Sequence, residues 1–202
     1  MLKFVISILF GFLFFTSTAQ DWRLKKDQNG IQIYTRSLPK SNFKEYKATA
    51  QINASLDTIL DELWNAPQYK DGCAPGVSYS LGNYSHNARI FYAKKELPWP
   101  IKDRDIITLL TFHRISDKKV KLTLESLPDQ LPELPKTIRI KELMGHWLLE
   151  ALPNNTVRVT QQLYVNPEGN LPAVVTNSLL VKGPFKTFNE LKESTEKTYV
   201  AE

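Results

Sequence analysis

The stretch DIITLLTFHRISDKKVKLTLES, residues 105–126, decides the fold class. Its last eight residues place valine or leucine at positions 120, 122 and 124, with charged or polar residues between them. A period of two with one apolar face is typical of an antiparallel strand that covers a core on one side and meets water on the other. Because Asp117-Lys118 supplies a turn between two such runs, the stretch predicts a hairpin.

The same pattern extends to both sides of this hairpin. Further strands are predicted over 30–37, 43–53, 77–84, 88–97, 137–152 and 156–166, with an amphipathic helix over 55–65. Within the fifth of these strands, Arg139 shares a parity with Leu143 and Trp147, which predicts a bulge near Glu142 that exchanges the two faces. We therefore expect an antiparallel sheet of six to eight strands.

Residues 171–202 carry a helical pattern that is interrupted at Gly183-Pro184. A curved sheet of the expected size has one apolar concave face, and this segment is the only long element left to cover it. The sequence therefore predicts an α+β fold in which a curved antiparallel sheet is followed by a long C-terminal helix.

The composition of the chain limits the classes of function that it can have. The chain has 202 residues, 42% of them hydrophobic, which suits one domain with a sizeable core. Its formal net charge of +5 falls well short of the dense basic stripe of a nucleic-acid binder, so no nucleic-acid partner is expected. The single cysteine, Cys73, excludes an internal disulfide.

The N-terminus has the pattern of a signal peptide. Lys3 precedes an apolar run from Phe4 to Phe15, and the small residues Ser17 and Ala19 precede a cleavage site. The run is short for a transmembrane helix, which needs about 20 residues; retention as a membrane anchor is the alternative. We predict a signal peptide over 1–19, one domain over 20–202, and an exported protein, periplasmic or secreted. The scarcity of cysteine favours a bacterial envelope.

The sequence contains no motif typical of a catalytic, nucleotide-binding or metal site. His86, His113 and His146 lie far apart in the sequence without the spacing of metal ligands. Since nothing assembles a nucleophile, a base and an oxyanion hole, we predict no catalytic residue, no metal and no cofactor.

Two proline-containing segments stand out. LPWPIKDRD, residues 97–105, ends in Arg104 and Asp105, which we interpret as a structural pair that fixes a strand start by charge-assisted hydrogen bonds. LPDQLPELP, residues 127–135, carries Leu131 and Leu134 in a proline-rich loop. This loop either folds onto the core, or forms an apolar flap over a cavity mouth or a tip that touches a membrane.

Four motifs in this order resemble the START domain family, the lipid-transfer domains related to the steroidogenic acute regulatory protein. The motifs are the opening strand from Asp27 to Arg36, Pro98-Trp-Pro100 with Arg104-Asp105, Gly145-His-Trp147, and Asn166-Pro-Glu-Gly169-Asn-Leu-Pro172 with Asn177. The resemblance implies a helix-grip fold, in which the curved sheet wraps around the C-terminal helix and an internal hydrophobic tunnel holds one lipid. It also implies that the loop 127–135 gates the tunnel together with that helix.

The chain departs from the family at two informative positions. Asn166 replaces the usual aspartate of the fourth motif. Leu110 stands where some sterol-binding and phospholipid-binding members have a buried arginine. The leucine at position 110 implies a tunnel that is more apolar than theirs.

We hypothesise a non-enzymatic carrier of a lipid or other hydrophobic small molecule, acting as a monomer. Transient contact with a membrane surface would load and unload it, favoured by a net charge of +4 once Lys3 is removed from the total of +5. The predicted gate and membrane-contact residues are Leu131, Leu134 and Leu180. The predicted ligand-binding residues are Ile90, Tyr92, Leu110, Leu122, Leu143, Trp147, Leu163, Val175 and Leu179.

Two other functions stay open on the sequence alone. One is a cyclase- or aromatase-like enzyme of the same superfamily, for which Glu142, Tyr92 and Gln161 are the candidate polar groups. The other is an envelope interaction module whose cavity is filled by its own side chains.

Overall fold

The computed structural model describes residues 21–39, 41–65, 76–169 and 171–200. The predicted signal peptide over 1–19 and Cys73 lie outside the described residues. Pro67 near a helix start also predicts a short helical piece over 66–72, and that segment lies outside the described residues too.

The described residues form ten strands in one sheet, antiparallel in every pairing except one. The strands are β1 Arg23–Gln28, β2 Ile31–Ser37, β3 Lys44–Ile52, β4 Gly76–Ser85, β5 Ala88–Lys95, β6 Asp103–Ser116, β7 Lys119–Ser126, β8 Thr137–Arg139, β9 Glu142–Leu152 and β10 Thr156–Asn166. Nine of them run in the order β1-β2-β3-β10-β9-β7-β6-β5-β4, and β8 pairs with β6 in parallel.

The helices are α1 Leu56–Asn65, α2 Ala173–Asn177 and α3 Gly183–Val200, with a π-helical turn at Ser178–Lys182 and a 3-10 turn at Pro128–Gln130. Ser55 caps α1, because its hydroxyl accepts a hydrogen bond from the backbone N–H of Thr58 at 3.0 Å. The predicted α+β helix-grip class, an antiparallel sheet with a C-terminal helix, is confirmed.

The predicted strand count was wrong for two physical reasons. The strand β1 has the sequence RLKKDQ, so it has no alternating apolar face for periodicity to detect. The predicted strand 137–152 is in fact two strands, β8 and β9, separated by Ile140 and Lys141. The change in alternation that indicated a bulge near Glu142 marks the point where pairing with β6, through β8, ends and pairing with β7, through β9, begins.

We call the sheet face that packs against α3 the inner face, and the opposite one the outer face. On the inner face, the ring of Trp147 stacks on that of Phe188 with centroids 5.5 Å apart. Phe188, Leu191 and Thr195 of α3 are all buried there. The C-terminal half of the helix is therefore held firmly by apolar packing.

Polar contacts fix the same half of α3. The Lys192 ammonium donates to the carbonyl of Asn29 at 3.2 Å, and the Glu196 carboxylate accepts from the backbone N–H of Asn53 at 3.3 Å. In consequence, α3 is tied to the β1–β2 turn and to the end of β3.

Candidate functional site

A cavity of about 620 Å³ lies between the inner face of the sheet and the start of the C-terminal helical segment. Its volume is in the range of small-molecule sites. The described lining residues are Phe43, Lys44, Tyr46, Gly76, Val77, Ala93, Lys94, Lys95, Leu97, Arg104, Asp105, Ile106, Ile140, Leu143, Gln161, Leu163, Val165, Pro167, Leu171, Thr176, Leu179, Leu180, Gly183, Pro184 and Thr187. Most of this wall is apolar.

The cavity arises because the helical segment fills only one end of the inner face. At that end Phe188 and Leu191 fill the space against the sheet. At the other end, Gly183, which has no side chain, and Pro184 line the cavity together with Leu143 and Leu163 of the sheet. The π-helical turn at Ser178–Lys182 places Leu179 and Leu180 in the same wall.

A neutral polar pair contributes hydrogen-bonding groups to this wall. The Tyr46 hydroxyl donates to the Gln161 side-chain oxygen at 2.8 Å, and both residues are buried. Polar groups at a largely apolar wall orient a ligand through a small number of hydrogen bonds.

Arg104 is the buried cation of the site, with 6% of its surface exposed. Its guanidinium donates to the backbone carbonyls of Lys102, Pro167 and Glu168. Burial lowers the pKa of Arg104 below its ordinary value. These bonds join the start of β6 to the chain just beyond β10.

Asp105 forms the second buried interaction, with Arg139 of β8. Both carboxylate oxygens accept from the guanidinium at 2.9 Å, and this bond raises the pKa of Arg139. Arg139 also donates to the carbonyls of Pro128, Leu131 and Pro132. One buried ion pair therefore holds the proline-rich loop 127–135.

The structure brings four of the predicted leucines together at the cavity: Leu143, Leu163, Leu179 and Leu180. Leu110, Leu122 and Trp147 lie on the same face but belong to the packed core, and they do not line the cavity. Val175 of α2 is half-buried and is also not among the described lining residues.

Ile90 and Tyr92 face away from the cavity. Strand alternation puts Ala93 on the inner face and both of these residues on the outer face, where they form a small cluster with Ile107. The Tyr92 hydroxyl lies 3.4 Å from Asp105 Oδ2. Burial, followed by the charge of Asp105, raises the pKa of Tyr92 to about 12.

The loop 127–135 lies over that outer cluster. Leu127 and Leu131 pack against Ile90, Tyr92 and Ile107, while Leu134 is 45% exposed. No residue of the loop is among the described lining residues. Of the arrangements that the sequence leaves open for this loop, the structure therefore has the one in which the loop folds onto packed apolar residues.

A different loop flanks the cavity. Residues 96–102 connect β5 to β6, and Leu97 lines the cavity. Trp99 of this loop is 93% exposed. The sequence predicts only that Arg104 and Asp105 fix the strand start after this segment; the exposure of the Trp99 side chain is visible only in the structure.

The three polar groups considered for catalysis lie in three different places of the domain. Gln161 lines the cavity and Tyr92 lies on the outer face. Glu142 borders a separate surface recess, where its carboxylate accepts from the Tyr164 hydroxyl at 3.3 Å.

The described part of the chain holds no group of three His, Cys, Asp or Glu residues suited to a metal ion. In the same part, no helix combines the length and the apolar character that crossing a membrane requires.

Comparisons with known proteins agree with this geometry. An uncharacterized protein of Pseudomonas aeruginosa is 29% identical over 182 residues, covering 89% of each chain. The phosphatidylcholine transfer protein of Mus musculus is 25% identical over 167 residues, covering 79% of this chain and 77% of that protein. A solved STAR-related lipid transfer protein fragment from Xanthomonas axonopodis is 27% identical with a TM-score of 0.76, covering 87% of this chain and 98% of the fragment.

A solved aromatase/cyclase, Zhui from Streptomyces, is 12% identical with a TM-score of 0.52, covering 76% of this chain and 93% of that chain, a likeness of fold alone. The family model described as the START domain matches residues 13–198. With that match over most of its length, and with the sheet, helix and cavity described above, the chain belongs to the START domain family.

Proposed function

We propose that this protein binds one lipid or other hydrophobic small molecule in its cavity and carries it without catalysing a reaction. The observation that carries the proposal is the apolar cavity of about 620 Å³ between the sheet and the helical segment. Burial of an acyl chain there contributes about 0.8 kcal/mol for each methylene group removed from water. The lipid transfer proteins among its relatives support the same function.

We further propose that the carrier docks transiently on a membrane with the end of the domain that holds the loop 96–102. Trp99 is almost wholly exposed, and Val174 of α2 is 80% exposed. Aromatic side chains favour the membrane interface, and a basic protein is attracted to anionic lipids. Of the gate residues predicted from sequence, Leu180 lines the cavity and stays a candidate, whereas Leu131 faces the outer cluster.

The compartment is proposed from the sequence. The signal-peptide pattern over residues 1–19 supports export, and the absence of a second cysteine fits a bacterial envelope. In that compartment a monomeric carrier would move its ligand across an aqueous space between membrane surfaces.

Native mass spectrometry of protein purified without detergent tests the proposal. The same sample is measured after denaturation, and its organic extract is analysed for lipid. We expect a stoichiometric extra mass that disappears on denaturation, with a matching lipid in the extract. A bare polypeptide that also takes up no added lipid would contradict ligand binding.

A further inference from the structure

We infer that the ligand of this cavity ends in an uncharged oxygen, a hydroxyl or a carbonyl, and that this oxygen accepts a hydrogen bond from the side-chain amide of Gln161. The inference rests on the proposed function, because it names the ligand class of the same cavity. It follows from the place of Gln161 in β10, from the hydrogen bond that orients its amide, and from the uncharged surroundings of that amide.

Gln161 is the one polar residue in the inner-face row of β10. Alternation along this strand puts five residues on the inner face, and the other four are apolar: Val157, Val159, Leu163 and Val165. Gln161 is 6% exposed and lines the cavity. Because a buried polar side chain needs hydrogen-bond partners, its place in an otherwise apolar row indicates a role that valine or leucine would not fill.

The Tyr46 hydroxyl fixes the orientation of the Gln161 amide. It donates to Oε1 at 2.8 Å, so the amide oxygen points towards Tyr46 and the amide nitrogen points away from it. That nitrogen carries two N–H groups, and neither has an acceptor among the described residues. Because Gln161 lines the cavity, a bound ligand can supply the acceptor.

Gln161 lies at the end of the cavity that adjoins the packed core, which we call the core end. Directly opposite it in β9 stands Trp147, whose ring stacks on Phe188 and does not line the cavity. Pro167 follows six residues after Gln161, about 20 Å away in an extended chain, and its carbonyl accepts from Arg104. The buried cation Arg104 and the amide of Gln161 therefore lie at opposite ends of the described wall.

The inner-face positions next to Gln161 carry no charged residue. They hold Ala48 of β3, Trp147 of β9, and Val159 and Leu163 of β10 itself. A charged group that is buried without a partner of opposite charge is costly. The part of the ligand that reaches the core end is therefore uncharged, and it is an acceptor because the amide offers it donors.

Competition binding to the purified, delipidated protein tests this inference with four probes of equal chain length. Oleyl alcohol ends in a hydroxyl, methyl oleate in an ester and oleate in a carboxylate, while 1-octadecene carries no oxygen. Each probe is measured on the unchanged protein and on Gln161→Leu. Differences in the solubility of the probes then cancel in the ratio of the two affinities.

Gln161→Leu is expected to weaken the binding of oleyl alcohol, of methyl oleate or of both by about fivefold, the effect of one neutral hydrogen bond. The affinities of oleate and 1-octadecene are expected to change by less than about twofold. A loss confined to oleyl alcohol identifies the group that Gln161 binds as a hydroxyl, and a loss confined to methyl oleate identifies it as a carbonyl.

Two further variants separate this effect from an effect on the fold. Tyr46→Phe combined with Gln161→Leu removes both members of the pair, so that neither polar group is left buried without its partner. This double variant is expected to give the same losses, and it decides the test if Gln161→Leu alone does not fold. The matched control is Gln162→Leu at the adjacent position, where the side chain lies on the outer face and donates to Glu45; it is expected to leave all four affinities unchanged.

The outcomes separate the inference from the proposed function. Equal loss of all four probes in Gln161→Leu, or no loss of either oleyl alcohol or methyl oleate, would overturn the inference and leave ligand binding intact. A loss that is largest for oleate would also overturn it, because a charged end would then reach Gln161. Failure of every probe to bind the unchanged protein would contradict the proposed function itself.

Discussion

Arg139 and Asp105 form a bidentate ion pair that is almost inaccessible to water. Nε lies 2.9 Å from Oδ1 and Nη2 lies 2.9 Å from Oδ2, with 1% of each side chain exposed. The remaining donors of Arg139 bind carbonyls of the loop 127–135. The pair therefore joins three separate segments: β6, β8 and the proline-rich loop.

Arg139→Met is expected to cost about 3–5 kcal/mol of unfolding free energy, because it leaves the Asp105 carboxylate buried without a partner. Urea denaturation followed by circular dichroism measures the change. Lys141→Gln is the matched control, since Lys141 forms an exposed ion pair with Glu133 on the same segment and is expected to cost at most about 0.5 kcal/mol. Equal effects of the two variants would contradict the structural role of the buried pair.

Trp99→Ala is expected to slow lipid transfer between vesicles and leave the amount of bound lipid unchanged. The reason is that Trp99 is exposed at the loop 96–102 but does not line the cavity. Transfer between donor and acceptor vesicles containing anionic lipid measures the rate, and vesicle pelleting measures docking.

Leu134→Ala is the control for that experiment. Leu134 is an exposed apolar residue of the loop 127–135, which covers the outer cluster rather than the cavity. A normal rate for Trp99→Ala combined with a slow rate for Leu134→Ala would place the docking surface on the proline-rich loop instead.

A third prediction concerns pH. Burial, and then the charge of Lys121, lower the pKa of His146 below its ordinary value of 6.5. Below pH 6.5 the unfolded chain therefore binds a proton that the folded chain resists, so folding stability falls as the pH drops from 6.5 through the lowered pKa. His146→Gln is expected to reduce the difference in unfolding free energy between pH 7.5 and pH 5.5.

His86→Gln, on the exposed turn between β4 and β5, is the control for this measurement. A stability difference between the two pH values that is identical in His146→Gln and the unchanged protein would refute the assignment to His146.

Most of the sheet could be predicted because its strands carry a clear period of two. The strands 119–126 and 156–166 have the bounds that alternation gives. Alternation gives the two faces of a strand but not which face meets the helix. In β5 both faces carry apolar residues, so Ile90 and Tyr92 were placed in the tunnel although they lie on the outer face.

The limits of the cavity could not be predicted for a different reason. Leu122 and Trp147 lie on the inner face as expected, but the space above them is filled by Phe188 and its neighbours. Where the helix leaves a gap depends on its three-dimensional path past Gly183 and Pro184. The role of Arg139 was missed because its partner, Asp105, is distant in sequence and β8 is only three residues long.

The central claim is that a lipid occupies the space between the inner face and the helical segment. Leu143→Trp fills that space, whereas Met144→Trp adds the same ring at the adjacent position, which points to the other face of β9. Native mass spectrometry of both variants, after verification that each is folded, is the most direct measurement. We predict that the lipid mass is lost from Leu143→Trp and retained by Met144→Trp. Retention of the full lipid mass by Leu143→Trp would contradict the claim.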